Sequence, residues 1–345
     1  MTPLVTMLLA GCGCFVLISI AAILLVFFFF GLADGETNSS EVQSSTGSAY
    51  TLEEDVELVD LLIDGGCKTG EQFTEEDEAC TLPITCDDIT TCIQYGDTLV
   101  SKLETQYGSL TAEEAVATDE ETTVLLEYDV DLDNEQLVTD FALADDVLEY
   151  DSSLWYSFAW LIPEHARTDI TRFEVFESGD TLAYVYLHDD YGVEWTFGMN
   201  RNNIELASET MVTYIHEYAH LLSLRNTEVN YFVYEHECED LYLDDSCFYM
   251  DSYVADFYRD FYASDTYDYT SDYFISDYAM SNVVEDFAES FAHFVLSPYE
   301  EGETMAAQKL AFFYNYEYLV NLRAEILGRV ATWLDRTVEP LEQPL

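Results

Sequence analysis

Apolar and polar positions divide the chain into an apolar beginning, a short polar segment and a long mixed remainder. From Leu4 to Leu32 nearly every residue is apolar and none is charged. That run exceeds the ~20 residues that a helix needs to span a bilayer. It also exceeds the roughly 7–15-residue apolar core of a cleaved signal peptide. The pattern therefore predicts that residues 1–32 form an uncleaved transmembrane helix, which would make the protein a single-pass protein of the cell membrane.

Two other interpretations of this beginning stay open. Residues 31–33 (Gly-Leu-Ala) are similar to a signal peptidase site, which would make the protein secreted. Residues 9–12 (Leu-Ala-Gly-Cys) are similar to a lipobox, which would make the protein a lipoprotein modified on Cys12. Each interpretation exports the rest of the chain, so the remainder is predicted to be extracellular.

The remainder is predicted to contain three parts. Residues 33–50 are rich in Asp, Gly, Ser, Thr and Asn, which is typical of a flexible linker. Residues 51–119 contain four cysteines and only patchy helical patterns. They are predicted to be a small disulfide-stapled region or an N-terminal extension of the main domain. From 120 to 340 strand and helix patterns mix, which predicts one α+β domain.

Strand patterns come first in this domain. Thr122–Val130 and Phe173–Phe176 have strand character. Thr181–His188 alternates apolar and polar residues, with its two tyrosines on one face. A turn through residues 189–192 then leads to another short strand, Val193–Phe197.

Helix patterns follow the strands. Apolar residues recur at helical spacing from Leu206 to Leu224 and from Asn282 to Leu296, where Pro298 closes the second helix. Residues 303–335 are predicted to be helical to the end of the domain. Residues 225–275 are aromatic and acidic without a clear period, and are predicted to be a long insertion.

The charge of the chain is extremely negative. The chain has 69 Asp and Glu against 11 Lys and Arg, which gives a formal net charge of −58. Such a surface repels phosphates, which argues against a nucleic-acid partner. It is typical of a halophilic protein, because concentrated cations screen the carboxylates. An ordinary acidic secreted protein and a surface that binds cations such as calcium stay as alternatives.

Six cysteines outside the apolar beginning favour disulfides in an oxidising compartment. Cys238 and Cys247 would close a short loop and are predicted to pair. Three connectivities are open for the other four: Cys67, Cys80, Cys86 and Cys92. A zinc knuckle is the rival interpretation for these four, but their spacings of 13, 6 and 6 lack the CxxC pairs that such sites prefer.

The candidate chemistry lies in the first predicted helix, where His216, Glu217 and His220 form an HExxH motif. Residues four apart on a helix share one face at about 5–6 Å. Two imidazoles so placed can both bind one Zn²⁺. Glu217 flanks the metal without binding it, and can take a proton from a water molecule as a general base. The motif predicts a zinc site, against the alternative that both histidines lie on a solvated helix face.

A catalytic zinc needs a third protein ligand. The metzincin pattern would place a histidine ten residues after His216, but that position is Asn226, so this class is excluded. Five downstream residues remain as candidates: His236, Asp240, Glu285, Glu289 and His293.

A family resemblance narrows this choice. Residues 285–292 (Glu-Asp-Phe-Ala-Glu-Ser-Phe-Ala) resemble the second helix of gluzincin metallopeptidases, above all the anthrax lethal factor and Pro-Pro endopeptidase group. The resemblance implies that Glu285 is the third zinc ligand and that Glu289 orients a ligating histidine. It also implies that Tyr278, seven residues before Glu285, stabilises the oxyanion, although a packing role for a tyrosine stays open.

The resemblance covers about 20 residues around each motif and departs from the family in two places. His220 and Glu285 are 65 positions apart, which is more than in compact gluzincins, and Asp286 replaces the first phenylalanine of the motif. The resemblance implies that an exposed edge strand pairs with extended substrate, and Thr181–His188 or Val193–Phe197 could have that role.

The predicted fold class is therefore α+β, a zincin-like metallopeptidase domain behind an N-terminal transmembrane helix. The expected activity is hydrolysis of a peptide or protein substrate outside the cell, by water that zinc and Glu217 activate. The alternative is a non-catalytic acidic surface protein with a structural zinc site or a degenerate peptidase fold.

Overall fold

The computed structural model describes residues 67–337, except for 69, 75–78, 112–121, 133–135, 180, 190–191, 203–206, 264–272 and 300–301. The predicted anchor, residues 1–32, and the predicted linker, residues 33–50, lie outside the described residues, as do Cys12 and the first part of region 51–119.

Ten strands form three sheets in the described parts of the chain. The strands are β1 (Gln72–Thr74), β2 (Ala79–Thr81), β3 (Thr123–Asp131), β4 (Gln136–Val138), β5 (Ile170–Glu177), β6 (Ala183–Leu187), β7 (Trp195–Asn200), β8 (Val229–Asn230), β9 (Leu241–Leu243) and β10 (Ser246–Phe248). The main sheet has the order β4-β3-β5-β7-β6, so β6 is an edge strand. Only β5 and β7 are parallel among its pairs, which makes the sheet mixed.

Eight α-helices are present among the described residues. They are α1 (Ile89–Tyr107), α2 (Asp145–Leu161), α3 (Glu164–Arg167), α4 (Ala207–Ser223), α5 (Tyr253–Phe261), α6 (Val283–Leu296), α7 (Met305–Phe313) and α8 (Glu317–Thr337). The predicted helices 206–224 and 282–296 correspond to α4 and α6, and the predicted run 303–335 is divided into α7 and α8.

The core lies between the main sheet and the helices. α4 is the central helix, because every residue from Thr210 to Ser223 is buried. It packs against α6 on one side and β6 on another. A helix in this position needs apolar residues on most faces, and its remaining polar side chains must find partners, since an unpaired buried polar group is costly.

The edge strand β6 has two different faces. Ala183, Val185 and Leu187 contact the core, whereas Tyr184 and Tyr186 point to the other side of the sheet. There both tyrosine hydroxyls donate to the buried carboxylate of Glu174, over 2.6 and 2.7 Å. This arrangement confirms the predicted alternation and fixes the register of β6 on the sheet.

The cysteine-containing region is an extension of the main domain as far as it is described. Disulfides join Cys67 to Cys80 and Cys86 to Cys92, so the zinc-knuckle alternative for these four is wrong. Leu99, Val100 and Leu103 of α1 belong to the same core as the apolar residues of α4. At its start, two ion pairs tie the region to α8: Lys68–Asp335 and Arg336–Glu71, over 2.6 and 3.0 Å.

The predicted insertion 225–275 has regular structure of its own. β8, β10 and β9 form a small sheet in that order, and the predicted disulfide Cys238–Cys247 is confirmed. Asp244 and Asp245 form the two-residue turn between β9 and β10, with φ of 45° and 60°. Such a turn needs φ > 0 at both positions, and aspartate tolerates this better than most residues. The helix α5, which follows, was not predicted.

The predicted fold class needs one correction. The domain is α+β with a mixed sheet, as predicted, but no helix among the described residues combines the length and the apolar character needed to cross a membrane. The structure therefore does not support the transmembrane helix in the predicted fold class, and the segment assigned to it lies outside the described residues.

Candidate metal centre

The two histidines of the HExxH motif lie on one buried face of α4. His216, Glu217 and His220 are only 3%, 4% and 6% exposed. The four-residue spacing brings the two imidazoles together, with 3.0 Å between their Nε2 atoms. The alternative of a solvated helix face is therefore wrong.

Glu285 reaches the same point from α6. Its Oε2 atom lies 3.2 Å from Nε2 of His216 and 3.2 Å from Nε2 of His220. The local sequence fixes this carboxylate, because the side chain of Asn282 accepts from the backbone N–H groups of Val284 and Glu285 and starts the helix there. A carboxylate in the first turn of a helix is also favoured by the helix dipole.

The three donor atoms fit a tetrahedral metal ion. All of them lie within 4.8 Å of one another in a buried cluster. Tetrahedral ligands at ~2.0–2.1 Å from zinc are about 3.3 Å from each other, which is close to the observed separations. Two imidazole nitrogens and one carboxylate oxygen are ligand types that zinc prefers, so these residues fit Zn²⁺ in both geometry and ligand type.

The protonation of the cluster also suits a metal. Burial raises the pKa of Glu285, but the charge of His220 and hydrogen bonds from both imidazoles outweigh it and lower the pKa to about 2. Glu285 is thus a carboxylate at neutral pH. His216 donates from Nδ1 to Glu289 Oε1 over 2.6 Å, since a carboxylate can only accept. If zinc replaced the Nε2 proton that hydrogen-bonds to Glu285, the ring would be neutral and its Nε2 lone pair could bind the metal.

Glu289 lies one helical turn after Glu285 and is 1% exposed. Its Oε1 atom binds His216, and its Oε2 atom accepts from the hydroxyl of Ser276 over 2.6 Å. A carboxylate of this kind fixes the tautomer of a ligating histidine and raises its basicity. By contrast, Nδ1 of His220 is buried without a hydrogen-bond partner among the described residues, and nothing in this part of the structure explains it.

Glu217 lies beside the cluster without contributing to it. Burial raises the pKa of its carboxyl group, and the neighbouring charges of His216 and His220 oppose that effect. The backbone N–H of Val185 on the edge strand also lowers the pKa of this carboxyl group. Glu217 is thus positioned between the two histidines and the edge of the sheet.

Tyr278 is on a 3-10 turn, Tyr278–Met280, that packs against α6. The centroid of its ring lies 5.8 Å from that of His216. Its hydroxyl is buried and has no hydrogen-bond partner among the described residues. The ring of Tyr278 therefore lies next to His216 with a hydrogen-bond donor on its hydroxyl that no described residue uses.

The other candidates for a third ligand lie elsewhere. His236 is exposed, stacks on Tyr234 and lies 3.9 Å from Glu237. Asp240 is exposed, and His293 is partly buried three helical positions beyond Ser290, outside the cluster. Among the five candidates, only Glu285 has a side-chain atom in the cluster with His216 and His220.

Sequence reasoning missed two contributions to the site. Ser276 donates to Glu289, and the backbone amide of Val185 lowers the pKa of Glu217. A serine three residues before Ala279 is a sequence pattern for capping a turn, and Ser276 does accept from the N–H of Ala279, over 3.0 Å. No pattern in the sequence marks the backbone amide of Val185.

Compared with known proteins, the chain matches no family model, no curated protein and no solved structure.

Proposed function

We propose that this protein is a zinc-dependent endopeptidase that hydrolyses peptide bonds in a compartment outside the reducing cytosol. The observation that carries the proposal is the buried triangle of His216, His220 and Glu285, with Glu217 beside it and outside the ligand set. A structural zinc site has no need for an adjacent free carboxylate. Three disulfides support an oxidising environment.

The three candidate ligands would leave one coordination position of a zinc ion open for water or substrate. His216, His220 and Glu285 would hold Zn²⁺ with three protein atoms, which is the ligand number of catalytic sites. When bound, zinc supplies Lewis-acid polarisation of the substrate carbonyl and lowers the pKa of water. Glu217 takes a proton from the attacking water, whose oxygen adds to the carbonyl carbon. The same carboxyl group then gives the proton to the amine as the C–N bond breaks.

Tyr278 has a separate role in this reaction. As the water attacks, negative charge develops on the carbonyl oxygen of the scissile bond. The buried hydroxyl of Tyr278 has no competing partner among the described residues, so it can donate a hydrogen bond to that oxygen. A donor that is fixed beforehand in a buried site stabilises this charge more than a donor in water would.

The edge strand β6 would hold the substrate in an extended form. Leu182 O accepts from Asn200 N, and His188 N donates to Glu194 O, over 2.9 and 3.0 Å. In an antiparallel pair of this register, the backbone groups of the odd-numbered residues of β6 face the open edge. These groups can pair with the backbone of an extended peptide. Backbone pairing predicts that the enzyme accepts unfolded segments better than folded ones.

The experiment compares the purified protein with Glu217→Gln in concentrated salt. Zinc content is measured first, and cleavage of a peptide library second. We expect both proteins to bind zinc, and the variant to lose cleavage by roughly 10²–10⁴-fold, the usual contribution of a general base. Glu317→Gln, at an exposed glutamate at the start of α8, is the matched control and should keep the parental rate. A parent without zinc or cleavage, or a Glu217→Gln variant that cuts at the parental rate, would overturn the proposal.

A further inference from the structure

Ser276 holds two groups at once, although its own side chain does not contact the three ligating atoms. Its hydroxyl donates to Glu289 Oε2 over 2.6 Å and accepts from the backbone N–H of Ala279 over 3.0 Å. A serine hydroxyl is able to do both, since it carries one donor and two acceptor lone pairs. Ser276 thus connects α6 to the turn Tyr278–Met280.

Both ends of this connection lead to the candidate site. On one side, Glu289 accepts from Ser276 with its Oε2 atom. Its Oε1 atom lies 2.6 Å from Nδ1 of His216. On the other side, Tyr278 lies between the two residues that the Ser276 hydroxyl fixes, Ser276 itself and Ala279. The hydroxyl of Tyr278 has no partner among the described residues, so no hydrogen bond of its own determines its position. Its place depends on the turn.

We infer that Ser276 is a positioning residue that joins Tyr278 to the ligand His216 through Glu289, so that the oxyanion donor and the metal ligand are held in one arrangement. This inference rests on the proposed function for the role of Tyr278. The connection from Ser276 to His216 concerns zinc affinity and can be measured without any substrate.

The physical reason is the cost of losing two hydrogen bonds at buried groups. With alanine at position 276, one oxygen of the buried Glu289 loses a donor and the N–H of Ala279 loses its acceptor. Losing a hydrogen bond at a buried carboxylate or backbone N–H is costly, so the turn and Glu289 are expected to shift until water or another group replaces the hydroxyl. Threonine retains the hydroxyl and adds one methyl group to a partly buried side chain. It should therefore maintain both contacts.

The first test measures zinc affinity by competition with a chelator. Ser276→Ala is expected to weaken zinc binding by about 10-fold, the lower end of the usual effect of losing an outer partner of a metal site. Ser276→Thr should restore the parental affinity. Ser281→Ala changes an exposed serine of the same segment and should bind zinc like the parent. Equal affinities of Ser276→Ala and the parent would overturn the connection to His216.

The second test separates positioning from a general loss of stability. Ser276→Ala is expected to lower kcat by about 10-fold while KM changes by less than about twofold, because Tyr278 acts on the charge that develops in the transition state. In a Tyr278→Phe background the same substitution should lower kcat much less, since the group that it positions is already lost. A loss of equal size in both backgrounds would overturn the connection to Tyr278.

The outcomes distinguish this inference from the proposed function. A parent protein that cleaves peptides, with a Ser276→Ala variant equal to it in kcat and zinc affinity, overturns only the role of Ser276. A parent that binds zinc and cleaves nothing overturns the proposed function and the connection to Tyr278. The affinity series then still decides the connection from Ser276 to His216.

Discussion

Lys309 on α7 and Asp286 on α6 form an ion pair with 2.6 Å between Nζ and Oδ2, and both side chains are completely buried. The hydroxyl of Tyr262 donates to the same carboxylate oxygen, also over 2.6 Å, and Lys309 donates to the carbonyl of Tyr273. Asp286 is the residue that departs from the motif of the gluzincin second helix. The carboxylate at this position has a buried cation as its partner, because Lys309 of α7 packs against α6.

Breaking this pair is expected to destabilise the fold. Lys309→Met leaves the carboxylate of Asp286 buried without its cation, and the usual cost of that change is about 3–5 kcal/mol. The measurement is the free energy of unfolding in denaturant at high salt. The double variant Lys309→Met/Asp286→Asn removes the buried charge as well and should recover most of the loss. A single variant as stable as the parent would contradict the prediction.

The third ligand can be assigned by removing one side chain at a time. Glu285→Ala deletes an atom of the cluster, so we expect it to lose zinc on dialysis against a weak chelator that leaves the parent with about one zinc per chain. His293→Ala changes another residue of the same helix and should retain zinc. Circular dichroism checks that both variants are folded. The reverse pattern would move the site to His293.

His188, at the end of β6, is predicted to make stability depend on pH. Its side chain is only 10% exposed, and its Nδ1 atom lies 2.9 Å from the hydroxyl oxygen of Thr196. Burial lowers the pKa of His188 below its ordinary value of 6.5, and the charge of Arg172 lowers it further. The folded state therefore resists protonation of this ring more than the unfolded state does. The contribution of the neutral ring is complete above pH 6.5 and is lost as pH falls through the lower folded-state pKa.

The test is the slope of unfolding free energy against pH below 6.5, measured with a chelator present because zinc binding itself releases protons. The parent should lose stability as pH falls, and His188→Gln should lose less over the same range. Around pH 8 the difference in unfolding free energy between the two proteins should be independent of pH, since the ring is neutral in both folded and unfolded states. Equal slopes below pH 6.5 would count against His188 as the cause.

Salt should stabilise the folded state strongly. A net charge of −58 repels itself, and at ~0.1 M salt the screening length is still about 10 Å. We expect the denaturation midpoint in urea to rise steadily from ~0.1 M to ~1 M NaCl, where the screening length falls to about 3 Å. Millimolar Ca²⁺ at constant ionic strength distinguishes screening from bound cations, since only bound cations act at that concentration. A urea denaturation midpoint that is the same at all salt concentrations would exclude the halophilic interpretation.

Some helices and strands could be predicted from the sequence because their patterns depend only on residues close together in the chain. The four-residue spacing of His216 and His220 fixes two imidazoles on one helix face, whatever surrounds the helix. The alternation of Thr181–His188 and the apolar period of Asn282–Leu296 likewise correspond to β6 and α6. The helix α5 had such a signal too, with Val254, Phe257 and Phe261 buried at helical spacing, but the interleaved aspartates and tyrosines obscured it.

The sequence by itself determined the pair of histidines, the helix that carries them and the disulfide of the short loop, because each depends on residues close together in the chain. A resemblance implied Glu285 among five candidates, but only the tertiary structure showed that its carboxylate reaches both histidines, since Glu285 meets His220 across 65 positions. The pairing of Asp286 with Lys309, the link from Ser276 to Glu289 and the pairing of four cysteines also needed it. Helix and strand periods fix which face a residue occupies, but the contact between two faces depends on how the whole core packs.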